Sequence, residues 1–314
     1  MPTEDLVDTQ LDPLVHAVLC GRGRIRVSLS SQAHMAEASD QTLLAAARSG
    51  DKDALEALLL RYQPRVYRFG MKMCGDPDDA SDVLQETLLA MARSVRDFRG
   101  ASSLSTWLYT IARSFCIKKR RRSRFAPAEE QSLDTALSDE AVQVADQRPS
   151  PEDDLAGRQI EGVLARAIAS LDPMYREVLV LRDIEGLTAP EVAEVLGIGI
   201  DAVKSRLHRA RLAVRKAIAP HLDPGGRETA PGGDHKCPDV LTLFSRHLEG
   251  EISADLCAQM ERHMEACGRC RGACESLKRT LALCHSAPPS RVPQSVQQAV
   301  RESLRRLLAT DSAR

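Results

Sequence analysis

Four potential metal ligands in the C-terminal part constrain the fold of this chain more than any other feature. Cys237, His263, Cys267 and Cys270 form the pattern C-x25-H-x3-C-x2-C. Two thiolates three residues apart, an imidazole one helical turn before them and a donor from a distant segment match the tetrahedral ligand set of zinc. Because four protein ligands leave no open coordination position, this zinc is predicted to be structural. His235 is the alternative to Cys237 as the first ligand.

The composition and the cysteine distribution favour a helical protein of the cytoplasm. The 314 residues are enough for two or three small domains, and only 3% of them are aromatic, which suits helical bundles better than a sheet or barrel. No apolar run approaches the roughly 18 residues of a membrane span, and the short run at 14–19 follows acidic residues rather than the basic residues of a signal peptide. In a reducing compartment, clustered thiols favour metal binding over disulfides.

Changes in periodicity and composition divide the chain into seven segments. Residues 1–34 show no sustained periodicity, residues 126–154 carry nine acidic residues against one basic residue, and residues 221–234 are rich in Gly and Pro. The predicted segments are a disordered arm or misassigned start (1–38), a first helical domain (39–124), an acidic linker (125–154), a second helical domain (155–220), a linker (221–234), a zinc module (235–285) and a tail with one short amphipathic helix (286–314). The predicted fold class is therefore all-α, with two small helical domains joined by a flexible linker and followed by a zinc-stapled helical module.

The second helical domain has the sequence signature of two short helices joined by a tight turn. Thr188 and Glu191 have the spacing of a capping box, Gly197 ends the first helix, and the second helix begins near Ile200. The apolar face of the second helix is Val203, Leu207, Ala210 and Val214. Its outward residues are Ser205, His208, Arg209 and Leu212, flanked by Lys204, Arg206, Arg211 and Arg215. A polar face edged with cations suits DNA base reading with phosphate contacts, although a solvated basic face has the same composition.

The first helical domain ends in a basic run next to aromatic residues. Residues 118–124 contain six cations in seven positions, and Trp107 and Tyr109 lie just upstream on the same predicted helix. Cations that hold a phosphate backbone beside rings that stack on bases are typical of single-stranded DNA binding. The alternative is a solvated basic tail.

An acidic helix face precedes this basic run. Asp76 and Pro77 predict a helix start, and the acidic and amide residues that follow are Asp78, Asp79, Asp82, Gln85 and Glu86. The helix dipole accounts for part of this pattern. Because DNA repels such a face, a basic protein partner is the functional interpretation.

Three segments of the chain resemble parts of the bacterial transcription machinery and follow one another in the expected order. They are residues 76–114, 171–218 and 237–270. The first two segments resemble regions 2 and 4 of the extracytoplasmic-function (ECF) sigma factors of RNA polymerase. The third resembles the zinc-binding anti-sigma module, which is normally a separate protein. The resemblance implies a protein with no catalysis of its own, which binds the clamp helices and flap of core polymerase and directs initiation at −10 and −35 promoter elements. It also implies a cytoplasmic location, with the nucleoid when the chain is in holoenzyme.

The resemblance assigns residues by position. The polymerase-binding residues are Asp79, Asp82, Gln85 and Glu86. The −10 residues are Trp107, Tyr109, Arg113, Ser114, Lys118, Lys119 and Arg120. The −35 residues are Lys204, Ser205, Arg206, His208 and Arg209. Ser114 and Lys118 stand where the family often has Asn and Asp, so a −10 sequence preference is not carried over.

The fused zinc module implies regulation within one chain. In the family such modules, with a following helix, wedge between the two sigma domains and mask their polymerase-binding faces. The linker at 221–234 and the amphipathic helix at 294–309 favour the same arrangement here, with a constitutive stabiliser or a dock for another partner as alternatives. Spare thiols beside a zinc site also suggest sensing of oxidants or of a second soft metal. The candidate sensor thiols are Cys257, Cys274 and Cys284, with small buried side chains as the alternative.

Two other classes of protein share part of this pattern. A plain helix-turn-helix regulator with a structural zinc domain explains residues 155–219 but leaves the Trp107 segment and the acidic face unassigned. A thiol redox enzyme built on Cys267 and Cys270 needs a strand-helix setting, and the pair instead follows a helix that carries His263.

Overall fold

The computed structural model describes residues 39–125, 151–222, 237–286 and 291–311, and these residues form helices and turns without a β-strand. The all-α prediction is confirmed. The predicted arm, most of the acidic linker and most of the second linker lie outside the described residues. The exact segment boundaries therefore stay predictions.

The first helical domain consists of four helices and a 3-10 turn. They are α1 (Asp40–Arg48), α2 (Lys52–Cys74), α3 (Pro77–Ser94), the turn Val95–Asp97 and α4 (Leu104–Phe125). The Asp76 side chain accepts from the backbone N–H of Asp79, and Pro77 occupies the first turn, so α3 begins where the sequence predicts. A Cβ atom at Gly70 of α2 would lie 3.1 Å from the Cα atom of Ala80 in α3. Glycine therefore permits the close packing of α2 on α3.

The second helical domain contains the predicted helix-turn-helix. Its elements are α5 (Pro151–Ala169), α6 (Pro173–Leu179), a π-helical turn (Val180–Ile184), α7 (Ala189–Leu196) and α8 (Ile200–Leu222). The capping box between Thr188 and Glu191 is complete, and Gly197 ends α7 at a φ of +67°. The four predicted apolar residues of α8 are fully buried, which confirms its packed face. Residues 151–154 of the predicted acidic linker are helical, since proline followed by acidic residues favours a helix start.

Within residues 237–286 and 291–311, the structure describes a three-helix module and one further helix. The helices are α9 (Val240–Leu248), α10 (Ala254–Ala266), α11 (Gly268–His285) and α12 (Gln294–Asp311). The buried core of the module is Val240, Phe244, Met260, Cys270, Cys274, Leu277 and Leu281. A core of this size supplies little stability by itself, so a metal crosslink is expected to contribute strongly to the fold of the module.

The two helical domains contact each other directly. α4 packs against α7, and α2 packs against α5 and α6. α9 and α11 of the zinc module contact α8, whereas α12 contacts α3 of the first domain. The resemblance implied that the zinc module lies between the two domains, but in the structure it does not separate them. Charged side chains join the two domains to each other.

Candidate metal centre and candidate DNA and polymerase surfaces

The four predicted metal ligands converge at one end of the zinc module. Cys237 precedes α9, His263 lies in α10, and Cys267 and Cys270 begin α11. Their ligand atoms all lie within 4.8 Å of one another. Cys237 Sγ is 4.0 Å from Cys267 Sγ, and His263 Nε2 is 3.1 Å from Cys270 Sγ. Three sulfurs and one imidazole at these separations match a closed tetrahedral zinc set, while His235 lies outside the described residues.

Backbone hydrogen bonds favour the thiolate form of Cys267, one of the four predicted ligands. Cys267 stands between α10 and α11, and its backbone N–H donates to the carbonyl of His263 at 2.8 Å. Hydrogen bonding from the backbone N–H of Cys270 lowers the pKa of the Cys267 thiol. Because zinc binds the thiolate, this local geometry favours the form of cysteine that the metal requires.

Two of the three candidate sensor thiols lie in the core. Cys274 and Cys284 are buried. Burial raises the pKa of both thiols, that of Cys284 to about 12. Both fit the alternative interpretation of small buried side chains rather than reactive thiolates. Cys257 is half-buried, with Sγ 3.6 Å from His247 Nδ1, and it stays a candidate.

This burial predicts slow alkylation. In the zinc-loaded chain we expect Cys274 and Cys284 to react with iodoacetamide at least about a hundredfold more slowly than in the chain unfolded by denaturant, because thiolate fraction and access both fall. Mass spectrometry of individual peptides measures the rates. Labelling of the two thiols at the unfolded rate would show that they are open to solvent.

The predicted polymerase residues on α3 contact two other parts of the chain. Asp79 Oδ1 lies 3.1 Å from Lys119 Nζ, and Asp82 also pairs with Lys119. Gln85 Nε2 donates to Ser303 Oγ of α12 at 3.0 Å, while Glu86 remains exposed. This face of α3 is thus partly covered by the C-terminal helix.

The predicted −10 residues divide into covered and exposed groups. Arg113 Nε and Arg120 Nη2 donate to the Glu177 carboxylate of α6 at 3.0 and 2.9 Å. Trp107 is half-buried and stacks on Phe98, with ring centroids 4.7 Å apart. The exposed members of the set are Ser114 and Lys118. Two of the cations assigned to promoter DNA are therefore paired with a carboxylate of the second domain.

Tyr109 differs from its predicted role. It is fully buried, packs on Phe69 with ring centroids 5.4 Å apart, and donates its hydroxyl to Glu185 Oε2 at 2.6 Å. Burial raises the pKa of Tyr109 well above its usual value, and the Glu185 carboxylate raises it further, so the hydroxyl stays a donor. In this arrangement the ring is not available to stack on a base.

Glu185 joins the two helical domains. Arg68 of α2 donates to its two carboxylate oxygens at 2.8 and 2.6 Å, and Arg65 Nη2 donates to its backbone carbonyl at 3.2 Å. The Glu185 side chain is fully buried, as a paired and hydrogen-bonded carboxylate can be. Glu177 and Glu185 are not among the residues predicted from the sequence, although acidic residues within an apolar helical segment are a signal of such pairs.

The predicted −35 residues of α8 lie beside the zinc module. Lys204 Nζ is 3.1 Å from Glu251 Oε1, and His208 Nε2 is 3.1 Å from Thr242 Oγ1 of α9. Arg206 is half-buried, whereas Ser205 and Arg209 are exposed. One edge of the predicted DNA-reading surface is therefore in contact with the module.

Arg211 was predicted to flank the outward face of α8, and this prediction is wrong. Its guanidinium is buried and binds both carboxylate oxygens of Asp183, at 2.8 and 2.6 Å. Glu249 of the zinc module accepts a further hydrogen bond from it at 2.8 Å. Bidentate pairing compensates the cost of burying this charge, and helical periodicity alone does not show such a partner.

The environment of His208 predicts a pH dependence. Burial lowers the pKa of His208, and the charged groups around the ring are Asp239, which opposes this shift, and Arg209, Arg211 and Arg246, which add to it. The contact with α9 therefore favours the neutral ring. We expect the contact to be fully stable above the ordinary histidine pKa of about 6.5 and to weaken as the pH falls below it. Hydrogen exchange of α9, corrected for intrinsic rates, measures this, and His208→Gln should remove the pH dependence.

None of the helices in the described part of the chain has the length and apolar character of a membrane-spanning segment.

Three sequence families match separate parts of the chain. Sigma-70 region 2 matches residues 58–125, Sigma-70, region 4 matches residues 161–214, and the family described as "Putative zinc-finger" matches residues 237–271. The fold and the surfaces thus define a sigma-70-type transcription factor with a fused zinc-finger module.

Curated relatives with the names of sigma factors match more than half of the chain. The RNA polymerase sigma-H factor of Pseudomonas aeruginosa is 31% identical over 192 residues, which are 60% of this chain and 98% of the relative. The ECF RNA polymerase sigma-E factor of Haemophilus influenzae is 31% identical over 188 residues, 58% of this chain and 96% of the relative. Among solved structures, the one described as the structure of CnrH in complex with the cytosolic domain of CnrY has 27% sequence identity to this chain and a TM-score of 0.41. The match covers 60% of this chain and 99% of that chain. The chain belongs to the ECF sigma factors, non-enzymatic regulators that direct promoter-specific initiation by RNA polymerase.

Proposed function

We propose that the C-terminal segment 237–311 holds this sigma factor closed, so that the free chain binds core polymerase and promoter DNA weakly. The observation that carries the proposal is the position of α12 on α3, the helix assigned to polymerase binding. Val300 and Leu304 of α12 are buried, and Ser303 between them accepts a hydrogen bond from Gln85. A helix seated in this way competes with the clamp helices of polymerase for one face.

Contacts between the two sigma domains support the same proposal for the −10 surface. Arg113 and Arg120 both pair with the carboxylate of Glu177. Glu185 forms an ion pair with Arg68 and accepts a hydrogen bond from the Tyr109 hydroxyl. Cations paired with glutamates cannot neutralise phosphates at the same time. The closed chain is therefore expected to bind single-stranded −10 DNA poorly until the two domains separate on polymerase, where tethering of both domains raises their effective concentration at the promoter.

Zinc would act as a structural element of this closed state. Cys237, His263, Cys267 and Cys270 would hold it, and it would tie the start of α9 to α10 and α11. The helices α9 and α11 are the ones that pack on α8. Small metal-stapled modules lose their fold with the metal. Loss of zinc, through oxidation of the thiolates or through a competing soft metal, is therefore the proposed opening signal, and the cytoplasm is the proposed location.

Run-off transcription with bacterial core polymerase on a library of candidate promoters tests the proposal. The full chain is compared with a chain that ends at Pro224, each with and without a zinc chelator. Closure in cis predicts that truncation, or metal removal from the full chain, raises promoter-specific transcription. Loss of transcription on truncation would instead make the module an activating element.

A further inference from the structure

A short acidic turn joins α9 to α10 and points toward the helix-turn-helix. It consists of Glu249, Gly250 and Glu251. Gly250 has a φ of +68°, a left-handed conformation that glycine adopts without strain, and the backbone N–H of Glu251 donates to the carbonyl of Arg246 at 3.0 Å. The turn is thus held by its own backbone while both carboxylates reach the second sigma domain.

The two carboxylates form ion pairs with three cations of that domain. Glu249 accepts from Arg211 Nη2 at 2.8 Å and from Arg182 Nε at 3.2 Å, and its side chain is only 5% exposed. Glu251 lies 3.1 Å from the Nζ of Lys204, which belongs to the predicted −35 set. A few residues away in the module, Thr242 contacts His208 of the same set.

We propose that this turn takes the place of DNA phosphates on the second sigma domain, so that the zinc module and duplex DNA compete for α8. Carboxylate and phosphate oxygens are both anionic hydrogen-bond acceptors, and ammonium and guanidinium groups bind either. The inference rests on the proposed function, because it takes α8 as the helix that enters duplex DNA.

The charge balance at the contact points the same way. Arg211 already has a bidentate carboxylate partner in Asp183, so the fold of the second domain does not need Glu249 to compensate it. Arg182 and Lys204 keep 26% and 24% of their side-chain surface exposed in the closed chain. Once the module leaves, both cations are accessible to a phosphate backbone.

The proposal is tested with full-length chains and a labelled mixed-sequence DNA duplex, since phosphate contacts do not depend on sequence. Fluorescence anisotropy compares the wild type with the Glu249→Gln, Glu251→Gln double variant across a range of salt. We expect the double variant to bind about tenfold more tightly at low salt, with a salt slope steeper by about two, because Lys204 and Arg182 then each neutralise a phosphate.

Two further variants control the experiment. Asp255→Asn with Glu275→Gln makes the same change in net charge at two exposed residues of the module and should leave the affinity near that of the wild type. Glu251→Gln alone removes only a partly exposed pair, so it decides the matter if circular dichroism shows that the double variant is misfolded. Equal affinity of Glu251→Gln and the wild type, or an equal gain in the control, would overturn the competition. A gain in DNA affinity without any effect of α12 variants on polymerase binding would leave this inference standing while overturning closure of the polymerase face.

Discussion

Leu304→Asp is expected to raise binding of the full chain to core polymerase by about tenfold or more. Leu304 of α12 is buried, with 3% of its surface exposed, and it lies on the helix that packs against α3. Removing a buried leucine side chain costs about 2–5 kcal/mol, and a charge in its place costs more. Since each 1.4 kcal/mol changes an equilibrium constant tenfold, loss of even part of this contact shifts the chain strongly toward the open form.

Competition binding to fluorescently labelled core polymerase measures this effect, with run-off transcription as the functional readout. The matched control is Gln298→Asp, which places the same charge on an exposed residue of α12. Both variants keep the zinc ligands. If Leu304→Asp and Gln298→Asp bind polymerase with the affinity of the wild type, α12 does not compete for the polymerase face.

Glu185→Ala is expected to separate the two sigma domains. The substitution leaves the Arg68 guanidinium and the buried Tyr109 hydroxyl without their carboxylate acceptor. Breaking a buried ion pair by removing one partner costs about 3–5 kcal/mol, because the remaining charge is uncompensated. The Arg68 side chain is 13% exposed in the closed chain and gains more contact with water when the domains move apart, so the cost should appear as opening of this interface.

Small-angle X-ray scattering and hydrogen exchange measure the separation. We expect a larger radius of gyration and faster exchange in α2 and α4, together with tighter binding of single-stranded DNA through the released Arg113 and Arg120. Glu194→Ala on the exposed side of α7 is the matched control. An unchanged radius of gyration with unchanged exchange in Glu185→Ala would show that this pair does not hold the domains together.

The parts of the protein that the sequence predicts well depend on short spacings. The zinc ligands Cys267 and Cys270 share one turn with His263 nearby, and the capping box between Thr188 and Glu191 is set by adjacent residues. The apolar face of α8 follows from helical periodicity, and Val203 and the rest of that face are buried as expected. Each of these features depends on residues that are close together in the sequence.

The parts that the sequence does not predict depend on partners far away in the chain. Periodicity shows that Tyr109 shares a helix with the basic run. It does not show that Glu185, 76 residues later, accepts a hydrogen bond from the Tyr109 hydroxyl. In the same way, Arg211 looks like a surface cation until Asp183 and Glu249 are placed beside it. A charged residue at the edge of an apolar face is ambiguous in sequence, because its burial is decided by whether a counter-charge reaches it.

The attachment of α12 to the same chain as α3 has a consequence for dosage. Two segments of one polypeptide meet at an effective concentration set by their connection, on the order of millimolar for short flexible links, whatever the number of molecules in the cell. In the closed state, making more of this protein therefore supplies promoter-recognition domains and their restraint in a fixed one-to-one ratio. The fraction of open molecules is then independent of the amount of protein, so more protein raises the output only in proportion, whereas a chemical change in the module alters the open fraction itself.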